Sequence, residues 1–140
     1  MNFIEIDKNN SSHIEFLYCL LKNKKFNISH EKLPSHEEHV KFVKDNPYRK
    51  WFLISIKNLI SGSVYITYEN HIGINLPSNN SEEYYQILKF IFQKFNPLKE
   101  IKSIRNKHFM VNTVKENKNL INAINRHRMR EIQRTYIFKN

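Results

Sequence analysis

The side chains able to move protons crowd into one short stretch. Tyr65, Tyr68, Glu69 and His71 fall within seven residues. A carboxylate or imidazole can take a proton from an attacking nucleophile, and a phenol can return one to a leaving group. On a strand, Tyr65, Thr67 and Glu69 share one face, while Tyr68 points to the other. Glu69 is the candidate base and Tyr65 its companion; a cleft on one face takes only one of the two tyrosines. Each has a plainer reading beside the chemical one: Glu69 a solvated turn carboxylate, Tyr65 a packed ring, and His71 a surface turn residue.

Other reactive groups are scattered. His36 and His39 lie three apart and can share a helix face, with His30 just upstream. No cysteine or acidic set of ligand spacing completes them, so no metal is expected. The single Cys19 has no disulfide partner within the chain and falls on an apolar helical stripe, where a buried, inert thiol is expected. Asn117 suits either a ligand contact or a helix cap. Arg126, Arg128, Arg130 and Arg134, with His127 among them, suit either an anion or a solvated helix end.

The bulk composition narrows the classes. The chain has 140 residues, 40% of them hydrophobic and 13% aromatic, which is globular rather than disordered composition. One domain spanning 1–140 is expected. No apolar run reaches membrane-spanning length, and no basic segment leads into an apolar one at the N-terminus, so a cytoplasmic protein without a membrane partner is expected. The net charge of +10 would suit an anionic partner. The basic residues are spread along the chain, however, and abundant Lys, Asn and Ile with scarce Gly and Pro explain the charge by composition. A dedicated nucleic-acid surface is therefore not the first expectation.

The elements that must position these groups come in the order β-α-α-β-β-β-α-β-α-β. Residues 51–76 read as a three-stranded meander: Phe52, Ile54 and Ile56, then Val64, Ile66 and Tyr68, then Ile72, Ile74 and Leu76 alternate along it. Lys57, Asn58 and the residues up to Gly62 form its first turn. Gly62 and Gly73, the only glycines, both lie here, where a bulge or a close approach would require them. Residues 3–6 open as a strand. Ser12 with Glu15 and Ser35 with Glu38 read as capping boxes. The first helix buries Ile14, Leu17, Tyr18 and Leu21, the second His39, Phe42 and Val43. Ser81 is the expected cap of a third helix burying Tyr84, Leu88, Ile91 and Phe95. Residues 98–105 are compatible with a short helix, 109–114 with a strand, 120–128 with a helix and 132–138 with a closing strand. The result is an α+β fold: a mostly antiparallel central sheet with helices on both faces.

Order and residues together resemble the GNAT superfamily of N-acetyltransferases, small bacterial and archaeal members most closely. The segment Ile28-Ser-His30, Pro34, Glu37-Glu-His39 and Phe42 before the meander, Pro47 to Ile54, Ile60 to Ile66, Ile72-Gly-Ile-Asn-Leu76 and Glu116-Asn117 carry the resemblance. It implies a GNAT-like fold and acetyl transfer from acetyl-CoA to a small amine, such as an amino sugar or amino acid, directly and without a covalent enzyme intermediate. It implies that Ile74, Asn75 and Leu76 face a gap between the fourth and fifth strands and offer backbone groups to the pantetheine arm. Asn79, Asn80 and Ser81 would receive the diphosphate at a helix N-terminus, and Asn117 would add a contact. His30, His39 and Tyr68 would line the amine side, and Glu69 and Tyr65 would serve the chemistry. The loop usual in that family is glycine-rich with a basic residue; here it reads Ser78-Asn-Asn-Ser-Glu-Glu-Tyr84. The usual acid tyrosine falls on Ile124, and a usual Gly-Phe on Arg128-Met129. Hence two alternatives stand beside the enzyme: a GNAT-fold binding module that has lost the cofactor, and a basic nucleic-acid-associated protein. A monomer or homodimer is compatible with all three.

Overall fold

The computed structural model describes residues 1–26 and 32–139. Along them run β1 (Asn2–Glu5), α1 (Ser11–Lys22), α2 (His36–Asp45), β2 (Lys50–Ile56), β3 (Leu59–Ile66), β4 (His71–Asn75), α3 (Ser81–Lys94), β5 (Met110–Val111) and α4 (Lys118–Arg126). This is an α+β architecture built on one five-stranded mixed sheet. The strands lie in chain order, antiparallel from β1 to β4, with β5 added parallel to β4.

Strand periodicity splits the core in two. Phe52, Ile54, Val64, Ile66, Ile72 and Leu76 meet Tyr84, Ile87, Leu88 and Ile91 of α3 and Leu120 and Ala123 of α4. Trp51 and Leu53 point to the other face, against Ile14, Leu17 and Leu20 of α1 and Val43 of α2. Strand β2 is covered on both faces, which is why its sequence is apolar nearly without alternation. Each aliphatic side chain removed from water in this way contributes roughly 1.5–3 kcal/mol.

Several local expectations need correction. Helix α1 is capped by Asn10, whose side chain accepts from the Ser12 and His13 amides, rather than by Ser12; Glu15 is left to pair with His36. Helix α3 is capped by Asn80, which accepts from the Glu83 amide, and Ser81 is already helical. Asparagine caps as well as serine does, so an Asn-Ser pair leaves the choice to the backbone. Ser35 does cap α2. Cys19 is exposed rather than buried, because Leu20 and not Leu21 continues the buried stripe of α1. Phe42 is likewise exposed, its ring edge resting on Tyr48 and Trp51. Residues 98–105 form no helix; a bridge between Ile101 and Arg105 closes them into a turn. The strand expected over 109–114 is laddered only at Met110 and Val111.

The first meander turn is also shorter than expected. Lys57 and Asn58, both at positive φ, make a two-residue hairpin turn. Gly62 lies beyond it, next to a register shift that leaves Ser61 unpaired against β2. A Cβ on Gly62 would stand 2.7 Å from the Asn75 carbonyl oxygen. Gly73 answers to a different neighbour: the Tyr65 ring crosses it, and a Cβ there would lie 2.0 Å from Tyr65 Cζ.

The closing strand does not form. Residues 129–139 carry no ladder, and Ile132, Tyr136, Ile137 and Phe138 are 59%, 83%, 73% and 92% exposed. Among the described residues no helix is long and apolar enough to cross a membrane.

Candidate functional site

The feature that distinguishes this sheet is the way β4 and β5 separate. They pair at His71–Met110 and Ile72–Val111 and no further, although β4 continues to Asn75. The direction of the β4 backbone groups follows from its neighbours. The Thr67 amide donates to the His71 carbonyl, so odd residues of β4 turn toward β3. The Met110 amide donates to the Asn70 carbonyl, so even residues turn toward β5. Alternation along a strand therefore aims the amide and carbonyl of Ile74 into the space where β5 has left. That backbone pair has no strand partner among the described residues.

At the closed end of this fork, the Asn112 Nδ2 donates to His71 Nδ1 at 2.8 Å, a side-chain tie across the two strands. Behind it stands Asn70, wholly buried and left-handed at φ 69°. Its side chain donates to the carbonyls of Leu98 and Asn106 and accepts from the Leu98 amide, at 2.7–2.9 Å. It thereby holds residues 98–106 against the start of β4. In the sequence Asn70 reads only as a residue of the tight turn Glu69-Asn70-His71. Its signal was the lone asparagine at a tight turn; its long-range partners have no sequence signature.

The open end leads to the loop 77–80. Asn79 sits at φ 50°, doing the conformational work that a glycine does elsewhere, and Asn80 stays extended. The Asn79 side chain accepts from the Tyr84 hydroxyl at 3.1 Å. The two carboxylates beside this loop are engaged by neighbours. Glu82 accepts from Arg126 at 2.7 Å and Gln86 at 2.8 Å, and these bonds, Gln86 first, hold its carboxyl below the usual range. Glu83 accepts from the Ser78 hydroxyl at 2.5 Å. Ser81 Oγ donates to Asn122 of α4. Within the first turn of α3, Asn80 takes the Glu83 amide through its side chain and the Tyr84 amide through its carbonyl. The Ser81 and Glu82 amides are left at the helix end.

Asn75 and Asn117, both expected to meet a cofactor, have structural partners. Asn75 Nδ2 donates to the Leu20 carbonyl at the end of α1. Asn117 is buried, caps α4 by accepting from the Leu120 amide, and reaches the Tyr84 hydroxyl at 3.5 Å. Leu76 is buried in the core below the sheet, and its carbonyl accepts from the Asn79 amide.

The candidate proton-transfer groups are not gathered together. Tyr65 lies on the α1/α2 face with its ring stacked on Tyr48 at 3.9 Å and its hydroxyl against Gly73, next to the fork. Burial raises the pKa of both phenols, so each stays protonated. Glu69 and Tyr68 are exposed in the turn after β3, about 10 Å further along the chain path from Tyr65. His39 is buried between α1 and α2, its Nε2 donating to the Ile14 carbonyl at 3.0 Å and its ring 5.0 Å from Tyr18. His36 pairs with Glu15 across the same helices at 2.5 Å. His30 lies outside the described residues. Among those described, no three His, Cys, Asp or Glu side chains converge as metal ligands. Two shallow concavities, of about 270 and 470 Å³, lie elsewhere, on the outer side of α1 at Ser12 and Phe16 and beside Phe3 and Phe90.

The arginine cluster is split. Arg126 lies over the Tyr85 ring at 3.9 Å while holding Glu82, and His127 stacks on the same ring at 4.2 Å. Arg134 pairs with Glu131 in the exposed tail.

No protein-family model, curated protein or solved structure matches this chain.

Proposed function

We propose that the chain is an N-acetyltransferase of the GNAT superfamily that uses acetyl-CoA and acts on a small amine by direct transfer. One observation carries this reading: past Ile72 β4 keeps β3 on one side but has no partner on the other, and the Ile74 amide and carbonyl are left for an extended, amide-bearing ligand. A pantetheine arm carries amides at the spacing to bond such an edge, as an added strand would. The free amides at the head of α3 favour an anion at the far end of that arm, and the pairing of Glu82 with Arg126 moderates the repulsion that a diphosphate would meet there.

In the chemical step the amine nitrogen bonds to the acyl carbon, the carbon–sulfur bond breaks, the amine gives up a proton and the thiolate receives one. Tyr65 is suited to the second transfer, because its buried hydroxyl stays protonated beside the fork. Glu69, exposed at the turn after β3, is suited to accept the first through water. Tyr68 is the accessible group for the amine side in this reading; His39, buried on the Ile14 carbonyl, does not reach an amine.

A second reading, a GNAT-fold binding module without turnover, is favoured by the loop. It has neither glycine nor a basic residue, and Asn117 and Asn75 are committed to helix ends. Thermal shift and calorimetry with CoA and acetyl-CoA decide whether the site exists, since a ligand that binds only the folded chain raises its melting temperature. Release of free thiol from acetyl-CoA with a panel of amines then separates enzyme from module. A melting temperature unmoved at millimolar CoA overturns the enzyme reading and leaves the module that has lost the cofactor.

A further inference from the structure

Residues 98–107, between α3 and β5, combine a braced backbone with side chains that find no cover in this chain. The buried Asn70 side chain bonds Leu98 at one end of the loop and Asn106 at the other. Across the middle, Ile101 and Arg105 bridge, and the Ile104 and Arg105 amides donate to the Ile101 carbonyl at 2.9 and 2.8 Å, with Ser103 at φ 67°. The Arg105 guanidinium adds bonds to the Lys99 and Tyr68 carbonyls at 2.6 and 3.1 Å.

Turns are usually built from Gly, Asn, Asp, Ser or Pro. Here the tip reads Ile101-Lys-Ser-Ile104, and its two isoleucines are 42% and 70% exposed. One exposed isoleucine is ordinary, but two on a braced turn make an apolar point held out in water. Lys99, Lys102, Arg105 and Lys107 surround that point, against a single carboxylate in the loop, Glu100. Among the described residues none of these four cations is paired with a carboxylate.

We propose that this loop docks the protein peripherally on an anionic membrane surface, with Ile101 and Ile104 entering the boundary between headgroups and acyl chains and the lysines meeting the lipid charges around them. The charge pattern favours this occupant. A leaflet carries its negative charge at the surface and its apolar atoms just beneath, which is the complement of an apolar tip inside a cationic ring. A nucleic acid would also attract the cations, but isoleucine has neither a hydrogen-bonding group nor a π face to offer a base. A protein partner suits the loop less, because lysine is depleted at such interfaces and one loop is small beside the ~800 Å² that each partner usually buries. Docking of this kind needs no spanning helix, and the described residues contain none. It does not rest on the acetyl-transfer reading, since the loop braces the closed end of the fork and Ile74 faces the open one.

Cosedimentation of the nuclease-treated full chain with vesicles tests the proposal, with phosphatidylcholine alone and with a third of it replaced by phosphatidylserine. Binding is expected on the anionic vesicles only, and it should weaken as salt rises. Ile101→Ser with Ile104→Ser is expected to weaken it about tenfold. Lys99→Ala, Lys102→Ala and Lys107→Ala together should weaken it about a hundredfold, at roughly fivefold per lysine. Lys32→Ala, Lys41→Ala and Lys44→Ala, which remove equal charge from α2 and the segment before it, should cost less than about tenfold. Ile104→Trp gives a readout that needs no loss of binding. Its emission is expected to shift to the blue on anionic vesicles and to be quenched by lipids brominated on their acyl chains, while the buried Trp51 stays unaffected. Absence of binding at millimolar anionic lipid overturns the proposal. So do equal losses from the two lysine sets, an isoleucine variant that binds as the full chain does, or an unquenched tryptophan, each of which leaves only attraction by net charge. RNA binding governed by the loop lysines, without vesicle binding, would assign the surface to nucleic acid instead.

Discussion

Single residues hold this fold where no pattern foretells them. Asn70 is the strongest case. Three hydrogen bonds from one buried amide fasten residues 98–106 to the sheet. Asn70→Ala leaves an amide and two carbonyls without partners, and a destabilisation of about 2–4 kcal/mol is expected in urea unfolding. A loss below about 1 kcal/mol would mean that water replaces the side chain. Gly73 and Tyr65 form a second such point, a ring lying across a strand glycine. Gly73→Ala is expected to cost about 1–3 kcal/mol through displacement of that ring. In a Tyr65→Ala background most of the penalty should vanish, and a double-mutant cycle measures the coupling. If the two effects simply add, the ring is not what excludes the Cβ.

The ends of the helices decide how the elements join. Asn80, not Ser81, caps α3. Asn80→Ala should therefore lower stability by about 1 kcal/mol and Ser81→Ala by clearly less; the reverse ranking in thermal unfolding would restore serine as the cap. At the end of α4, Arg128 occupies a left-handed cap position that favours glycine. The arginine side chain strains a backbone bend that a glycine makes freely. Arg128→Gly is expected to stabilise by about 0.5–1 kcal/mol, because the left-handed conformation is unfavourable for residues with a Cβ. A neutral or destabilising result would show that the arginine side chain contributes more than its backbone strain removes. Helix α3 and β5 meet the remaining requirement, since the fork exists only because β5 turns away after Val111 while β4 goes on to cover α3 with Leu76.

Across the whole molecule, the two helices α1 and α2 close one face of the sheet around His39. Burial lowers the pKa of this imidazole, with the Ile14 carbonyl opposing and His36 nearby assisting the shift. Tyr18, Glu15 and His36 are the titratable groups recorded around it. The unfolded chain then binds a proton on His39 at a higher pH than the folded chain does. Stability from this group is present in full above the ordinary histidine value of about 6.5 and is lost as pH falls below it. Melting temperatures are expected to drop between about pH 6.5 and 5, and His39→Gln, which keeps a donor for Ile14, should flatten that part of the curve. An unchanged slope in the variant would assign acid sensitivity to other groups.

The amino-acid sequence by itself determined the α+β class, the alternating apolar set of the meander and helices on both faces of the sheet. Those depend on periodicity, which short segments carry whole: Ile54, Val64 and Ile66 bury because they alternate, and Tyr84, Leu88 and Ile91 because they recur at helical spacing. Asn79 and Asn80 are both residue types able to turn the loop in place of glycine, and the structure uses Asn79. Only the tertiary structure decided that Tyr65 packs on Tyr48 and Gly73, that Asn75 and Asn117 serve helix ends, that Cys19 faces water and that the closing strand finds no edge in its own chain. Most of these depend on a partner distant in the chain, as Asn75 does on Leu20 and Tyr65 on Tyr48, or on its absence. A strand's side chains repeat with a period that the chain can encode locally, but whether its peptide groups meet a neighbour depends on where distant segments stop.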